Sequence, residues 1–340
     1  MLHFDCDYMA GAHPAVLQAL ARENAAQHVG YGYDDLCQRA RQLIRQACAL
    51  PEAAVHFMMG GTQTNATVIG ALLRPTEGII ATDTAHISVH EAGAIEMGGH
   101  KAITIDGHDG KLAAEDVARL MADYHGDETH PHIVRPAAVY ISYPTELGTL
   151  YTRDELSALY AVCQRHQLPL YIDGARLTYG LAASRDLTLP ILARCCDLFY
   201  IGGTKAGALF GEALVCRDAT RLPYFFSTMK AHGAVLAKGW LLGVQFKALM
   251  TDDLLLRIGR EAVRLALRLA DAFRAHGYAP LIDSPTNQQF FCLPNALIDR
   301  LHTQATFDYW GVRGATESRV RFVTSWETTE ADIDALAALL

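Results

Sequence analysis

Residues 168–176 read Leu-Pro-Leu-Tyr-Ile-Asp-Gly-Ala-Arg, and residues 197–207 read Asp-Leu-Phe-Tyr-Ile-Gly-Gly-Thr-Lys-Ala-Gly. Each is a short apolar run rich in aromatic and branched side chains that ends abruptly in Gly and a charged group. That is the reading of a buried strand whose carboxyl end opens into a loop. In open α/β sheets ligands bind outside the carboxyl ends of the strands. Asp173 and Lys205 lie 32 residues apart, one strand–helix–strand step, which puts both at one edge of one sheet.

The same alternation runs outward. Further strands are predicted at Val55 to Met58, Gly78 to Ala81, Ala102 to Ile105, Ala137 to Ile141 and Ala213 to Cys216, beside Pro169 to Ile172 and Leu198 to Ile201. Amphipathic stretches fill the gaps. From Arg153, the residues Leu156, Leu159, Tyr160 and Cys163 make one apolar stripe, and Asp154 and Glu155 suit the positive end of a helix. The fold class is therefore α/β, a large, mostly parallel seven-stranded sheet domain. After about residue 250 the pattern changes to a long amphipathic helix, Leu254 to Ala275, then strands Gln289 to Cys292 and Val320 to Thr324, and a last helix from Ala331 to Leu340. This predicts an N-terminal segment plus large domain over 1–250 and a small α+β domain over 251–340. Asp34 or Asp35 is placed to cap a helix in the first segment.

Composition narrows the function. With 340 residues, 51% hydrophobic and 19% charged, the chain has an ordinary globular balance and room for two domains. A net charge of −8 gives no positive field to hold a polyanion, so nucleic acid is not an expected partner. The uncharged run from Ala53 to Leu73 holds His56, Gln63, Thr64 and Asn65, which lipid would not satisfy. No secretory signal opens the chain, and the eight cysteines are scattered without a Cys-x-x-Cys pair, so a cytoplasmic protein without a zinc site is expected.

Four segments carry candidate chemistry. Gly60-Gly61-Thr62 stands between a strand and a helix, where free N–H groups and the helix dipole suit a phosphate; by itself it fits a plain strand-to-helix turn as well. It matches neither the P-loop nor the dinucleotide fingerprint. Asp173 would need a positive partner, either a protonated ring nitrogen or Arg176 in a structural ion pair. Lys205, between glycines and apolar strands, would have a lowered pKa suited to a Schiff base, or would be an ordinary surface lysine. His86 could stack on a flat ring, while His90 fits a surface or core position. Together they make an anion site, an acid, an amine and a stacking ring on one sheet edge, the parts that pyridoxal 5'-phosphate (PLP) needs.

The ordered set GGTQTN (60–65), AHISVHEAG (85–93), YIDGAR (171–176), GGTKAGALFGEAL (202–214) and VRFVTSW (320–326) resembles the threonine aldolase branch of the β-eliminating lyases, PLP enzymes of the aspartate aminotransferase fold type. The resemblance spans nearly the whole chain. It implies that Lys205 carries the cofactor, that Asp173 holds its ring nitrogen and that His86 stacks on its face. Gly60, Gly61 and Thr62 would hold the phosphate, and Thr204, which departs from the Ser-Lys-Gly of many relatives, would bond the phosphate or the lysine. Arg176 would contact the cofactor hydroxyl or the substrate carboxylate, and Arg321 would bind that carboxylate; read alone, Arg321 is an exposed strand arginine. Many bacterial relatives have a histidine after the fifth strand, where this chain reads Tyr143-Pro144-Thr145-Glu146-Leu147-Gly148. Glu146 is the counterpart, as a general base or a turn residue. The implied activity is Cα–Cβ cleavage of L-threonine or a related β-hydroxy-α-amino acid to glycine and an aldehyde. The alternatives are β-elimination or other PLP chemistry on an amino acid, and a ligand-binding protein without turnover. The resemblance also implies a homodimer or homotetramer with shared sites, with Tyr31 or Tyr33 and Lys230 or Lys238 reaching a neighbour.

Overall fold

The computed structural model describes residues 1–340. The seven predicted strands all form and make one sheet: β1 (Ala54–Met58), β2 (Glu77–Thr82), β3 (Lys101–Ile105), β4 (Arg135–Ser142), β5 (Leu170–Asp173), β6 (Leu198–Gly202) and β7 (Glu212–Cys216), in spatial order β1-β7-β6-β5-β4-β2-β3. Pairing is parallel from β3 across to β6, and β7 alone is reversed, running antiparallel to both β6 and β1. The reversal follows from the connection. Parallel neighbours need a crossover of a dozen residues or more, whereas segment 203–211 makes only a short 3-10 turn and a loop.

Side chains alternate across this sheet as the strand period requires. Val55, Ile80, Val139, Ile172, Phe199 and Val215 face the larger core, and Met58, Ile79, Tyr140, Tyr171, Tyr200 and Leu214 face the other. The uncharged run from Ala53 to Leu73 resolves into strand β1 and the helix Gly61–Leu72. No helix of the chain is long and apolar enough to cross a membrane.

Helix Arg153–Arg165 starts at Thr152, which forms a capping box with Glu155, and Asp34 caps helix Asp35–Cys48 by accepting from the Cys37 N–H at 2.8 Å. Helix Leu254–Ala275 is found as read. Its first turns (Leu254, Leu255, Ile258) pack into the large core, and its later ones (Leu265, Leu269, Phe273) into a separate core with Phe291, Phe322 and Ile333. It therefore ties the two parts together. Strands Gln288–Pro294 and Glu317–Val323 pair antiparallel above that second core.

Two pairings have no sequence pattern long enough to announce them. Leu2–His3 adds in parallel to Ala305–Thr306, and Phe4 enters the small core. Asp308–Tyr309 pairs with Arg321 and Val320. The N-terminal residues thus pack with the C-terminal ones before the chain crosses to the large core. Within the small core Phe273 and Phe291 stack at 4.2 Å, both fully buried. Phe273→Ala removes that contact and leaves a cavity, and urea denaturation is expected to show a loss of about 3–5 kcal/mol.

Candidate active site

Strands β1, β2, β4, β5 and β6 share one direction, so their carboxyl ends meet at one edge of the sheet. Asp173 closes β5, on the same face as Tyr171 two residues before it. It is 4% exposed, and a bare carboxylate there would be costly. Four donors compensate it. Asp173 Oδ2 accepts from the Tyr140 hydroxyl (2.6 Å) and the Asn65 amide (2.9 Å), and Oδ1 accepts from the Tyr200 hydroxyl (2.5 Å) and the Ala175 N–H (3.0 Å). Burial alone would push the Asp173 pKa up, but His86 and the bonds from Tyr140, Tyr200 and Asn65 hold it below the ordinary carboxylate value. Burial and the nearby carboxylates raise the tyrosines, which stay protonated donors. The structural pair with Arg176 that the sequence allowed is not formed.

Asn65 extends the network. Its amide also donates to Glu91 Oε1 (2.7 Å), and its carbonyl accepts from the Tyr171 hydroxyl (2.8 Å). Glu91 in turn bonds His86 Nδ1 at 2.7 Å. Burial opposes a charge on His86, but the bond to Glu91 and the nearby Glu146 and Asp173 leave its pKa raised. His90 is exposed, on the surface.

Lys205 sits in the turn after β6, its backbone fixed by the Tyr179 hydroxyl, which donates to the Lys205 carbonyl at 2.5 Å. Its ammonium makes no ion pair. Burial and Arg176 lower its pKa against the pull of Asp7, Glu146 and Asp173. Around it a recess of about 300 Å3 is lined by Gly60, Gly61, Thr62, Asp173, Thr204 and Glu212. Gly60 begins helix Gly61–Leu72 with no side-chain cap, so the N–H groups of the first turn face the recess without a protein acceptor. A Cβ at Gly61 would lie 3.1 Å from the Tyr200 hydroxyl that serves Asp173, so glycine keeps both in place. Thr204 does not stand free: its hydroxyl donates to Glu212 Oε1 (2.9 Å) and accepts from the Gly211 N–H (3.0 Å).

Tyr8, His86, Glu146 and Lys205 line this recess and also an outer cavity of about 670 Å3 that adds Arg176, Trp310 and Arg321. Ser142 Oγ donates to Glu146 Oε1 at 3.3 Å, which aims the carboxylate. Arg176 commits Nε and Nη2 to a bidentate pair with buried Asp7 (2.8 and 3.0 Å) and leaves Nη1 to the cavity. Asn287 holds the same Asp7 at 3.0 Å. Arg321 Nη2 meets Asp308 at 2.5 Å, Nη1 meets Gln288 at 3.1 Å, and Nε has no partner.

The β-eliminating lyase family matches residues 4–304. The chain belongs to the β-eliminating lyase family. A threonine aldolase structure from Leishmania major superposes on this lyase with a TM-score of 0.96 at 41% identity, covering 100% of this chain and 98% of that one. A low specificity L-threonine aldolase of Pseudomonas aeruginosa is 29% identical over 96% of this chain and 93% of its own. A Thermus thermophilus aspartate aminotransferase, 16% identical with a TM-score of 0.73 over 100% of this chain and 90% of that one, shares the fold. Such lyases depend on PLP, and the residues of this lyase fit it: an ionised acid, an unpaired lysine and uncapped N–H groups line one recess.

Sequence reading singled out Gly60, Gly61, Thr62, His86, Glu146, Asp173, Arg176, Thr204, Lys205 and Arg321, and the structure brings them around the recess and the outer cavity. It passed over Asp7, Asn65, Glu91, Tyr140, Tyr200 and Glu212. Asn65, Glu91 and Glu212 lie inside the motifs themselves, and Asn65 on its helix and Glu212 on its strand are polar residues among apolar neighbours, which is a readable signal. The tyrosines looked like core. Tyr140→Phe removes one bond to the buried carboxylate, and chemical denaturation is expected to show a loss of about 1.5–3 kcal/mol.

Proposed function

We propose that this lyase cleaves the Cα–Cβ bond of L-threonine or a related β-hydroxy-α-amino acid, giving glycine and an aldehyde. The observation that carries the reading is the joined pair of cavities in which Lys205, Asp173, His86 and Glu146 converge, in a chain 41% identical to a threonine aldolase over its whole length. PLP would supply the electron sink that Cα–Cβ cleavage needs. Lys205, its amine uncharged for a larger fraction of the time, holds the cofactor covalently. Asp173, kept ionised by its donors, holds a proton on the ring nitrogen. His86, oriented by Glu91, packs against the ring face. The first-turn N–H groups after Gly60, with Gly61, Thr62 and Thr204, bind the phosphate.

On the substrate side, Arg321 turns from Asp308 to the α-carboxylate, and Arg176 offers Nη1 to that carboxylate or to the cofactor hydroxyl. Glu146 takes the proton of the β-hydroxyl, so that the aldehyde leaves as the Cα–Cβ bond opens.

We also infer a homodimer or homotetramer. Lys230 Nζ lies 4.8 Å from the Tyr31 ring, Tyr33 packs on Phe226 at 5.8 Å, and Tyr31 N–H bonds the Ala237 carbonyl at 3.0 Å. These contacts join the loop before helix Asp35–Cys48 to the segment around Lys238 on one exposed aromatic face, which supports a shared surface. A cytoplasmic location fits eight free thiols.

With L-threonine the purified holoenzyme is expected to release glycine and acetaldehyde in equal amounts. Pyruvate and ammonia as products would overturn the cleavage in favour of elimination. Lys205→Ala is expected to lose the cofactor absorbance that borohydride fixes to the protein. Glu146→Gln should lower kcat about 10²- to 10⁴-fold with KM little changed, whereas Arg321→Ala should chiefly raise KM for threonine.

A further inference from the structure

Glu212 is a buried carboxyl with no use in the mechanism above, and it sits in an unfavourable place. It is 3% exposed, opens strand β7 opposite Gly202 and Met58, and lines the recess that receives the phosphate. No Lys, Arg or His forms an ion pair with it. Its partners are neutral donors: the Gly203 N–H at 3.2 Å on Oε2 and the Thr204 hydroxyl at 2.9 Å on Oε1. The other ionisable groups facing it are Lys205 on the turn, Asp173 and Tyr171 on β5, and Tyr200 on β6. A carboxylate in the wall of an anion site would repel the anion.

Counting protons at Thr204 shows what resolves the conflict. A hydroxyl has one proton to give and two lone pairs. One lone pair takes the Gly211 N–H. If Glu212 is ionised, Thr204 must spend its only proton on Oε1 and shows the recess nothing but a lone pair. If Glu212 is neutral, a proton on Oε1 meets Thr204 Oγ1 at 2.9 Å, while Oε2 shares the Gly203 N–H with the Gly211 carbonyl and has no acceptor within reach. That proton goes to the second lone pair of Thr204, and the Thr204 proton is free for the recess.

We propose that Glu212 is a positioning residue that works in its protonated form, donating to Thr204 Oγ1 so that the Thr204 hydroxyl donates to the cofactor phosphate. The inference rests on the PLP reading above. Burial, the first cause, pushes the Glu212 carboxyl up to about 8 against the pull of Thr204 and Lys205. The neutral form therefore prevails below that pH and is lost above it. No covalent bond changes; one proton is retained on Glu212, and the hydrogen-bond chain runs from Glu212 through Thr204 toward the phosphate.

Glu212→Gln keeps a neutral donor at every pH. The test is the dissociation constant of PLP for wild type and Glu212→Gln from pH 6.5 to 9.5, with pyridoxal, which lacks the phosphate, as the control ligand. Both proteins titrate at Lys205, so the ratio of the two constants isolates Glu212. That ratio is expected to stay within about threefold of unity at pH 6.5 and to rise to at least about tenfold by pH 9.5, wild type binding more weakly. With pyridoxal it is expected to stay flat. Thr204→Val, in which Glu212 remains and still repels the phosphate once ionised, should bind PLP about tenfold more weakly at pH 6.5 and show a clearly smaller extra weakening above pH 8 than wild type, which keeps the test available if Glu212→Gln does not fold; an extra weakening as large as in wild type would mean charge repulsion alone and overturns the proposal. A PLP ratio that is flat with pH, or a rise equal for PLP and pyridoxal, overturns the proposal and leaves the functional reading intact. A wild-type protein that takes up no borohydride-fixable PLP overturns both.

Discussion

Asp173 carries a negative charge almost out of reach of water, and the rest of the site is arranged around keeping it there. Its four hydrogen bonds come from β4, β6, the helix after β1 and its own following turn. A carboxylate with fewer donors would hold its proton more tightly and be a poorer partner for a cationic ring nitrogen. The need for these donors explains why Tyr140 and Tyr200 sit on one face of the sheet with Tyr171, which orients Asn65, between them, and why Asn65 is fully buried. It also explains the glycine at position 61, where any side chain would crowd Tyr200.

From that acid the charges alternate outward. Asn65 passes the constraint to Glu91, and Glu91 fixes the ring of His86. On the opposite side Asp7 neutralises Arg176 and shares Asn287 with the small domain. Lys205 lies between these groups without a partner of its own. An amine left unpaired in a polar cavity loses charge more readily than one in an ion pair, and that is the property covalent chemistry at a lysine requires.

The contact between the large core and the small C-terminal one is part of the same arrangement. The first residues of the chain pair with Ala305–Thr306, Phe4 enters the small core, and Asp7 then reaches Arg176 in the large domain. Helix Leu254–Ala275 spans both cores. Arg321, on the small domain, is thereby held across the outer cavity from Lys205 and His86.

Strand identity, the large sheet, the long C-terminal helix and the chemistry-bearing motifs were legible in the sequence, because buried parallel strands are continuous apolar runs and a charged residue at their end breaks the run visibly. Local physics was enough for Asp34 as a cap and for the glycines before helix Gly61–Leu72. What the sequence could not settle is who pairs with whom. Arg176 lies three residues from Asp173 yet bonds Asp7, and Thr204, read as a partner of the phosphate or the lysine, bonds Glu212. Tyr140 and Tyr200 have the look of core residues, and only strand order makes them donors to one carboxylate. Such choices depend on distances across strands far apart in the chain, where burial removes water as a competing partner, and the fold alone brings those groups together.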